Sequence, residues 1–210
     1  MKILYYTNDN VTFSEIEEIL SEKHDVKRLT TRPTQNLLIN AGGDFDLLVS
    51  DRSRFIIPRE VVEMLNGMAC NLHPSFLPFN RGDQPLLWAA VEGTPFGVTI
   101  HSVDERFDEG QIVSQTKFNL PDSFTLRTAY SAVRSHMVGL FKSSWESGVL
   151  CESLRNPKLL IPNDVANGST KSRASGRAAV AKLPYGWDTE IDYLRSHAEF
   201  FLNLCSENNE

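Results

Sequence analysis

The chain has 210 residues, 41% of them apolar, with 21 basic and 27 acidic side chains and a formal net charge of −6. That is enough apolar content to bury one α/β core but leaves little for a second independent one. Acids and bases are interspersed, which argues against a dedicated nucleic-acid binder. The apolar run at residues 3–6 is too short for a secretory signal and nothing later approaches a membrane span, so a cytoplasmic chain is expected. Cys70, Cys151 and Cys205 are odd in number, widely spaced and outside any metal-binding pattern, which fits reduced thiols.

In chain order, Lys2–Tyr6 is expected as a buried first strand. Thr12-Phe13-Ser14-Glu15 has the spacing of a capping box and opens a helix striped by Ile16, Ile19 and Leu20. Asp25–Leu29 follows as a strand, and the polar residues 30–43 as a loop or short irregular helix ended by Gly42-Gly43. Residues 45–49 are a short apolar run of buried-strand type. Pro58 then begins a helix carrying Val61, Val62 and Leu65 and closed by Gly67, and residues 68–71 form the next strand. This alternation predicts a parallel, three-layer sheet with right-handed crossovers, binding ligand at the carboxyl ends of its strands. Residues 84–92 are the expected crossover helix, 97–103 a β-branched strand and Ile112–Phe118 another. Pro121-Asp122-Ser123 is expected to cap a long helix with Leu126, Tyr130, Val133, Met137, Leu140, Phe141 and Trp145 on its core face.

Composition changes after Trp145. Residues 167–182 are rich in small side chains and carry Lys171, Arg173, Arg177 and Lys182 without an acid. They are expected to be a solvated linker, the sharper alternative being a mobile flap that contacts phosphates. Residues 188–204 are expected as a terminal helix whose Ile191, Leu194, Phe200, Phe201 and Leu204 must dock on the domain or on a second copy, with a homodimer preferred. The organisation predicted is a catalytic domain at 1–150 and a short helical appendage at 151–210.

The polar residues with chemical potential cluster between Asn71 and Asp108. Asn71 and His73 lie two apart at an expected strand end, so in extended backbone their side chains point the same way. An acidic turn from Asp104 to Gly110 follows the 97–103 strand. An amide, an imidazole and a carboxylate around one cleft suit acyl-group chemistry. Singly, each is more simply a turn former or a structural residue, and His101 reads equally as pocket-facing or structural.

Asn71-Leu72-His73-Pro74-Ser75-Phe76-Leu77-Pro78, then Asn80-Arg81-Gly82, Gly97-Val98-Thr99-Ile100-His101 and Asp108-Glu109-Gly110 together resemble the formyltransferase superfamily that uses 10-formyltetrahydrofolate. The run from Leu77 to Trp88 is most similar to its sugar N-formyltransferases, which act on amino sugars, commonly nucleotide-linked, in surface-polysaccharide pathways. The resemblance implies a mostly parallel, Rossmann-like sheet with helices on both faces. It implies that Asn71, His73 and Asp108 are catalytic and that no metal is required. It places the folate donor against the loops bearing Arg54, Phe55 and Ile56 and bearing Val103, Asp104 and Glu105, and the acceptor near Asn80, Arg81 and Gly82. In that chemistry an amide N–H donates to the negative oxygen developing on the formyl group, the imidazole shares that task or delivers a proton, and the carboxylate relays the amine's proton.

Other branches fit less well. A glycinamide ribonucleotide transformylase needs a glycine-rich phosphate loop, and Tyr6-Thr7-Asn8-Asp9-Asn10 has no glycine. A methionyl-tRNA formyltransferase needs a further β-barrel and a more basic surface. A formyltetrahydrofolate hydrolase carries a regulatory domain in front of its core, where Met1 here begins directly on the first strand. From a different class, a non-catalytic nucleotide- or folate-binding module also stays open.

Overall fold

A computed structural model describes residues 1–8 and 14–207. Its main sheet has the order β2-β1-β3-β4-β6-β7, formed by β1 (Lys2–Tyr6), β2 (Asp25–Leu29), β3 (Leu47–Asp51), β4 (Ala69–His73), β6 (Phe96–Ser102) and β7 (Ile112–Phe118); β5 (Arg81–Gly82) and β8 (Thr170–Lys171) pair separately. Every residue of β3 is buried, as is all of β4 except the half-buried Asn71. Short apolar runs of this kind are stable only where both sheet faces are covered. The helices that accompany these strands are α1 (Glu15–Ser21), α2 (Gln35–Asn40), α3 (Arg59–Met64), α4 (Pro85–Glu92), α5 (Leu126–Glu146) and α6 (Val149–Arg155).

The pairs β1–β2, β1–β3 and β3–β4 are parallel, as the alternation predicts. The β4–β6 pair is antiparallel, so α4 is not the parallel crossover expected of it. A buried β-branched strand has the same composition in either direction, and nothing in residues 84–103 encodes its sense.

Local signals set most boundaries. Thr34 caps α2 by accepting from the Leu37 N–H at 3.3 Å, and Gly42 and Gly43 end it at positive φ. Ser14 occupies the N-cap of α1 without a side-chain bond to the helix N–H groups, its hydroxyl lying 2.6 Å from the Tyr5 hydroxyl; Thr12 of the expected capping box lies outside the described residues. Helix α5 starts at Leu126 rather than at 121, because Thr125 Oγ1 accepts from the Thr128 N–H while residues 121–124 close a turn. Its Tyr130 is exposed rather than core, with its ring edge-on to Trp187.

By its contacts the chain divides into two compact units. One comprises Met1–His73, Thr99–Ser114 and Val138–Asn163; the other comprises Pro74–Val98, Gln115–Met137 and Asp164–Glu210. In the second unit, the stretch expected as linker or flap is ordered. Thr170–Lys171 pairs in parallel with Arg81–Gly82, and α7 (Arg173–Ala181) follows, capped by Ser172. Small residues are what let α7 come close: a Cβ on Gly176 would meet the Asp83 carboxylate at 2.2 Å. The expected terminal helix is two, α8 (Ile191–Ser196) and α9 (Ala198–Glu207), broken at His197, whose ring stacks on Tyr193. Ile191, Leu194 and Phe201 are fully buried, with α8 and α9 packing on α4 and α9 on α7. The apolar side therefore docks within the chain, which removes the motive for covering it with a second copy. Phe200, expected on that side, is 49% exposed. No helix among the described residues is long and apolar enough to cross a membrane.

Candidate active site

Asn71 and His73 lie on one face of β4, and the register sets Asn71 directly opposite His101 and His73 opposite Thr99. An amide and two imidazoles are thus gathered by strand pairing alone. The acidic turn arrives by a different route from the one expected. Because β6 is antiparallel, the chain leaves it beside the first residue of β4, where the Val103 N–H donates to the Ala69 carbonyl at 3.1 Å. It then folds back and brings Asp108 against the far end of β4.

Backbone geometry fixes that return. Asp108 has φ of 55°, a left-handed conformation uncommon for a residue with a side chain. A Cβ on Gly110 would sit 1.7 Å from the Ser102 carbonyl oxygen, so only glycine fits two places after Asp108. The Asn163 amide donates to the carbonyls of Asp108 at 3.0 Å and Gly110 at 3.1 Å.

One oxygen, Asp108 Oδ1, is approached by Asn71 Nδ2 at 3.2 Å, His73 Nδ1 at 3.4 Å and His101 Nε2 at 3.4 Å. His73, His101 and Asp108 are all buried. Asn71 Nδ2 is also 3.1 Å from His101 Nε2, while His101 Nδ1 lies 2.8 Å from the Ser102 carbonyl. The carbonyl demands a proton on Nδ1, so in the neutral ring Nε2 is the acceptor for Asn71; this tautomer follows from the bonding network. Both amide hydrogens of Asn71 are then engaged, and its orientation is set because a flipped amide would turn its oxygen toward two acceptors. The sequence brought Asn71, His73 and Asp108 forward as a trio, and the structure brings them together with His101 as a fourth member.

The expected folate residues lie on two segments without regular structure, 52–58 and 103–110. Arg54 donates its backbone N–H to Asn8 Oδ1 at 2.7 Å. Phe55 is 45% exposed and Ile56 half-buried, and on the second segment Phe107 is 46% exposed. Uncovered aromatic side chains beside irregular main chain fit a flat heteroaromatic ring such as a pterin. Val103 is half-buried; Asp104 and Glu105 are exposed, with Asp104 Oδ1 accepting from the Glu105 N–H and Glu105 Oε1 accepting from Arg59 Nη1 at 2.8 Å.

Asn80, Arg81 and Gly82 have internal partners in the second unit. The Asn80 amide donates to Thr94 Oγ1 at 2.6 Å, and Arg81 Nε donates to Thr170 Oγ1 at 2.9 Å. Gly82 faces the Lys171 carbonyl so closely that a Cβ would meet it at 2.2 Å. Arg81 Nη1 is buried without a hydrogen-bond partner among the described residues. Sequence reasoning missed Asn163, which follows Asp108 by 55 positions and carries no local signal. Cys70 is fully buried, and burial pushes its thiol far up, away from nucleophilic use.

The family described as Formyl transferase matches residues 19–141. The dTDP-4-amino-4,6-dideoxyglucose formyltransferase of Mycobacterium tuberculosis is 36% identical over 72 residues, which is 34% of this chain and 30% of that protein. The GDP-perosamine N-formyltransferase of Brucella melitensis is 33% identical over 86 residues, 40% of this chain and 33% of that one. The matched stretch thus spans about a third of these curated relatives. Among solved structures, the formyltransferase PseJ from Anoxybacillus kamchatkensis, in complex with UDP-4,6-dideoxy-4-formamido-L-AltNAc and tetrahydrofolate, is 29% identical with a TM-score of 0.79. That alignment covers 94% of this chain and all of the PseJ chain.

Proposed function

The chain belongs to the formyl transferase family, and from that premise we propose that it moves a formyl group from 10-formyltetrahydrofolate to the amine of a nucleotide-linked amino sugar. The observation that carries this reading is the convergence of Asn71, His73 and His101 on one oxygen of Asp108. Two of the relatives are named for a nucleotide-linked amino sugar and the PseJ structure holds a UDP-linked formamido sugar, which supports the acceptor class.

The donor supplies an activated formyl carbon, and the chain's own residues do the rest. The loops bearing Arg54, Phe55 and Ile56 and bearing Val103, Asp104 and Glu105 would hold it, Phe55 and Phe107 offering apolar surface. Asn71 reaches the oxygen that becomes negative by releasing the hydrogen it gives to His101; the neutral acceptor is the weaker partner, while the bond to the Asp108 carboxylate keeps the amide aimed. Such a donor contributes about 3–4 kcal/mol to the transition state. His73 turns Nδ1 to Asp108, which leaves Nε2 on the side away from it to share the oxyanion or deliver a proton to the departing nitrogen. Asp108 takes the incoming amine's proton through water. Arg81 would serve the acceptor: a buried guanidinium whose Nε donates to Thr170 and whose Nη1 has no hydrogen-bond partner among the described residues suits an anionic group such as a carrier phosphate. We place the reaction in the cytoplasm, consistent with buried, reduced-type thiols at Cys70 and Cys205.

The test incubates the protein with 10-formyltetrahydrofolate alone and then with a panel of UDP-, dTDP- and GDP-linked amino sugars. Donor consumption only when an amine is present is the expected result. Consumption without acceptor would make the protein a hydrolase, and no consumption under either condition would make it a binding module.

A further inference from the structure

We propose that Asn163 is the positioning residue that holds Asp108 in its working conformation, an inference that rests on the catalytic reading of the Asp108 cluster. Asp108 has a side chain yet sits at φ of 55°, so its backbone is held where an isolated turn would relax. The two hydrogens of the Asn163 amide span that turn, one on the carbonyl of Asp108 at 3.0 Å and one on that of Gly110 at 3.1 Å. Both acceptors are main-chain, so the clamp acts on the path of the backbone and leaves the carboxylate available to Asn71 and His73. Its orientation is forced: a flipped amide would set its oxygen against two carbonyl oxygens. The amide keeps this pose even though its own Oδ1 is buried without a hydrogen-bond partner among the described residues.

Asn163 is itself delivered by a defined device. Ile112 and Ile161 exchange both backbone bonds at 2.8 Å, the N–H of each donating to the carbonyl of the other. That bridge ties residues 160–163 to the start of β7, directly after the Asp108 turn. Residues 108, 110 and 112 are thus pinned in succession by residues 163 and 161. Displacing a catalytic group by about 1 Å can lower turnover a hundredfold, so a loosened turn is expected to register in rate before it registers in stability.

The test is a mutant cycle with a structural readout. Asn163→Ala is expected to lower kcat on the order of tenfold or more, with little change in KM for the donor and an unchanged melting temperature. In an Asp108→Asn background the same substitution is expected to add less than about twofold, because the group it positions is already gone. Asn163→Gln, which keeps both donors, should recover part of the rate, and Asn163→Asp, which lacks them, should not. A parental kcat in Asn163→Ala beside a disabled Asp108→Asn, or losses that simply multiply, would overturn the assignment. If Asp108→Asn is itself fully active, the catalytic reading fails instead. A crystal structure of Asn163→Ala then decides the positioning role on its own, since Asp108 still at positive φ beside Asn71 and His73 would end it.

Discussion

Three nitrogens surround one oxygen of Asp108, and the consequences of removing each partner differ. His73→Ala and Asp108→Asn are each expected to lower turnover on the order of a hundredfold or more with the fold intact, and Asn71→Ala comparably through loss of its N–H, as steady-state kinetics with a confirmed acceptor would show. The pH profile separates the carboxylate from the others. If the imidazolium of His73 is the working form, the carboxylate 3.4 Å from its ring is the charge that favours it. Asp108→Asn removes that charge, and the residual rate should therefore decline at lower pH than in the parent as pH rises. A profile unmoved by Asp108→Asn would mean that protonated His73 is not the working form. Gly110→Ala tests the backbone: with a Cβ 1.7 Å from the Ser102 carbonyl, the turn must shift, and a loss of about 1–3 kcal/mol together with a fall in rate is expected.

The pairing of β5 with β8 depends on a glycine in the left-handed region. Gly82 has φ of 89° and would place a Cβ 2.2 Å from the Lys171 carbonyl, so Gly82→Ala should destabilise by at least about 1–3 kcal/mol and lower the melting temperature by several degrees. Gly139→Ala is the matched control: Gly139 lies within α5 with open space around its Cβ position, and alanine there should stabilise by about 0.5–1 kcal/mol. Thermal melts showing equal effects would mean that the close approach at Gly82 is not limiting. These elements also mark what the sequence makes legible. Strands β1 and β2 fall on their expected residues because each is an apolar or alternating run with polar ends, and Asn71, His73 and Asp108 were legible because short motifs surround them. The sense of β6 was not, since strand composition carries no direction. Nor were β8 and α7, where serine, glycine and arginine have the look of a linker and become structure only by pairing with Arg81–Gly82 and packing small residues such as Gly176 beside Asp83. His101 joined the site through a register, and Asn163 through the Ile112–Ile161 bridge, neither of which has a local signature.

At the scale of the chain, each compact unit is assembled from three separated stretches, and this bears on a cut after residue 150, where the composition had placed a domain boundary. Such a cut would take from the first unit the last turn of α6, whose Leu154 is buried, and the 160–163 segment that clamps the Asp108 turn. From the second it would take β8, α7, α8 and α9. Helix α4 presents an unbroken buried run from Leu86 to Val91, and α8 and α9 are among what covers it. Uncovering it would return several large apolar side chains to water at about 1.5–3 kcal/mol each, comparable with the whole stability of a domain of this size. The 1–150 fragment is therefore expected not to fold as a catalytic domain: it should aggregate or lack a cooperative thermal transition by calorimetry and circular dichroism. Within the full chain the same argument grades single substitutions. Phe201→Ala, at a fully buried site, should cost about 3–5 kcal/mol, whereas Phe200→Ala next to it, 49% exposed, should cost far less. A 1–150 fragment that melts cooperatively and consumes formyl donor, or equal losses at Phe200 and Phe201, would show that the C-terminal stretch is an appendage after all.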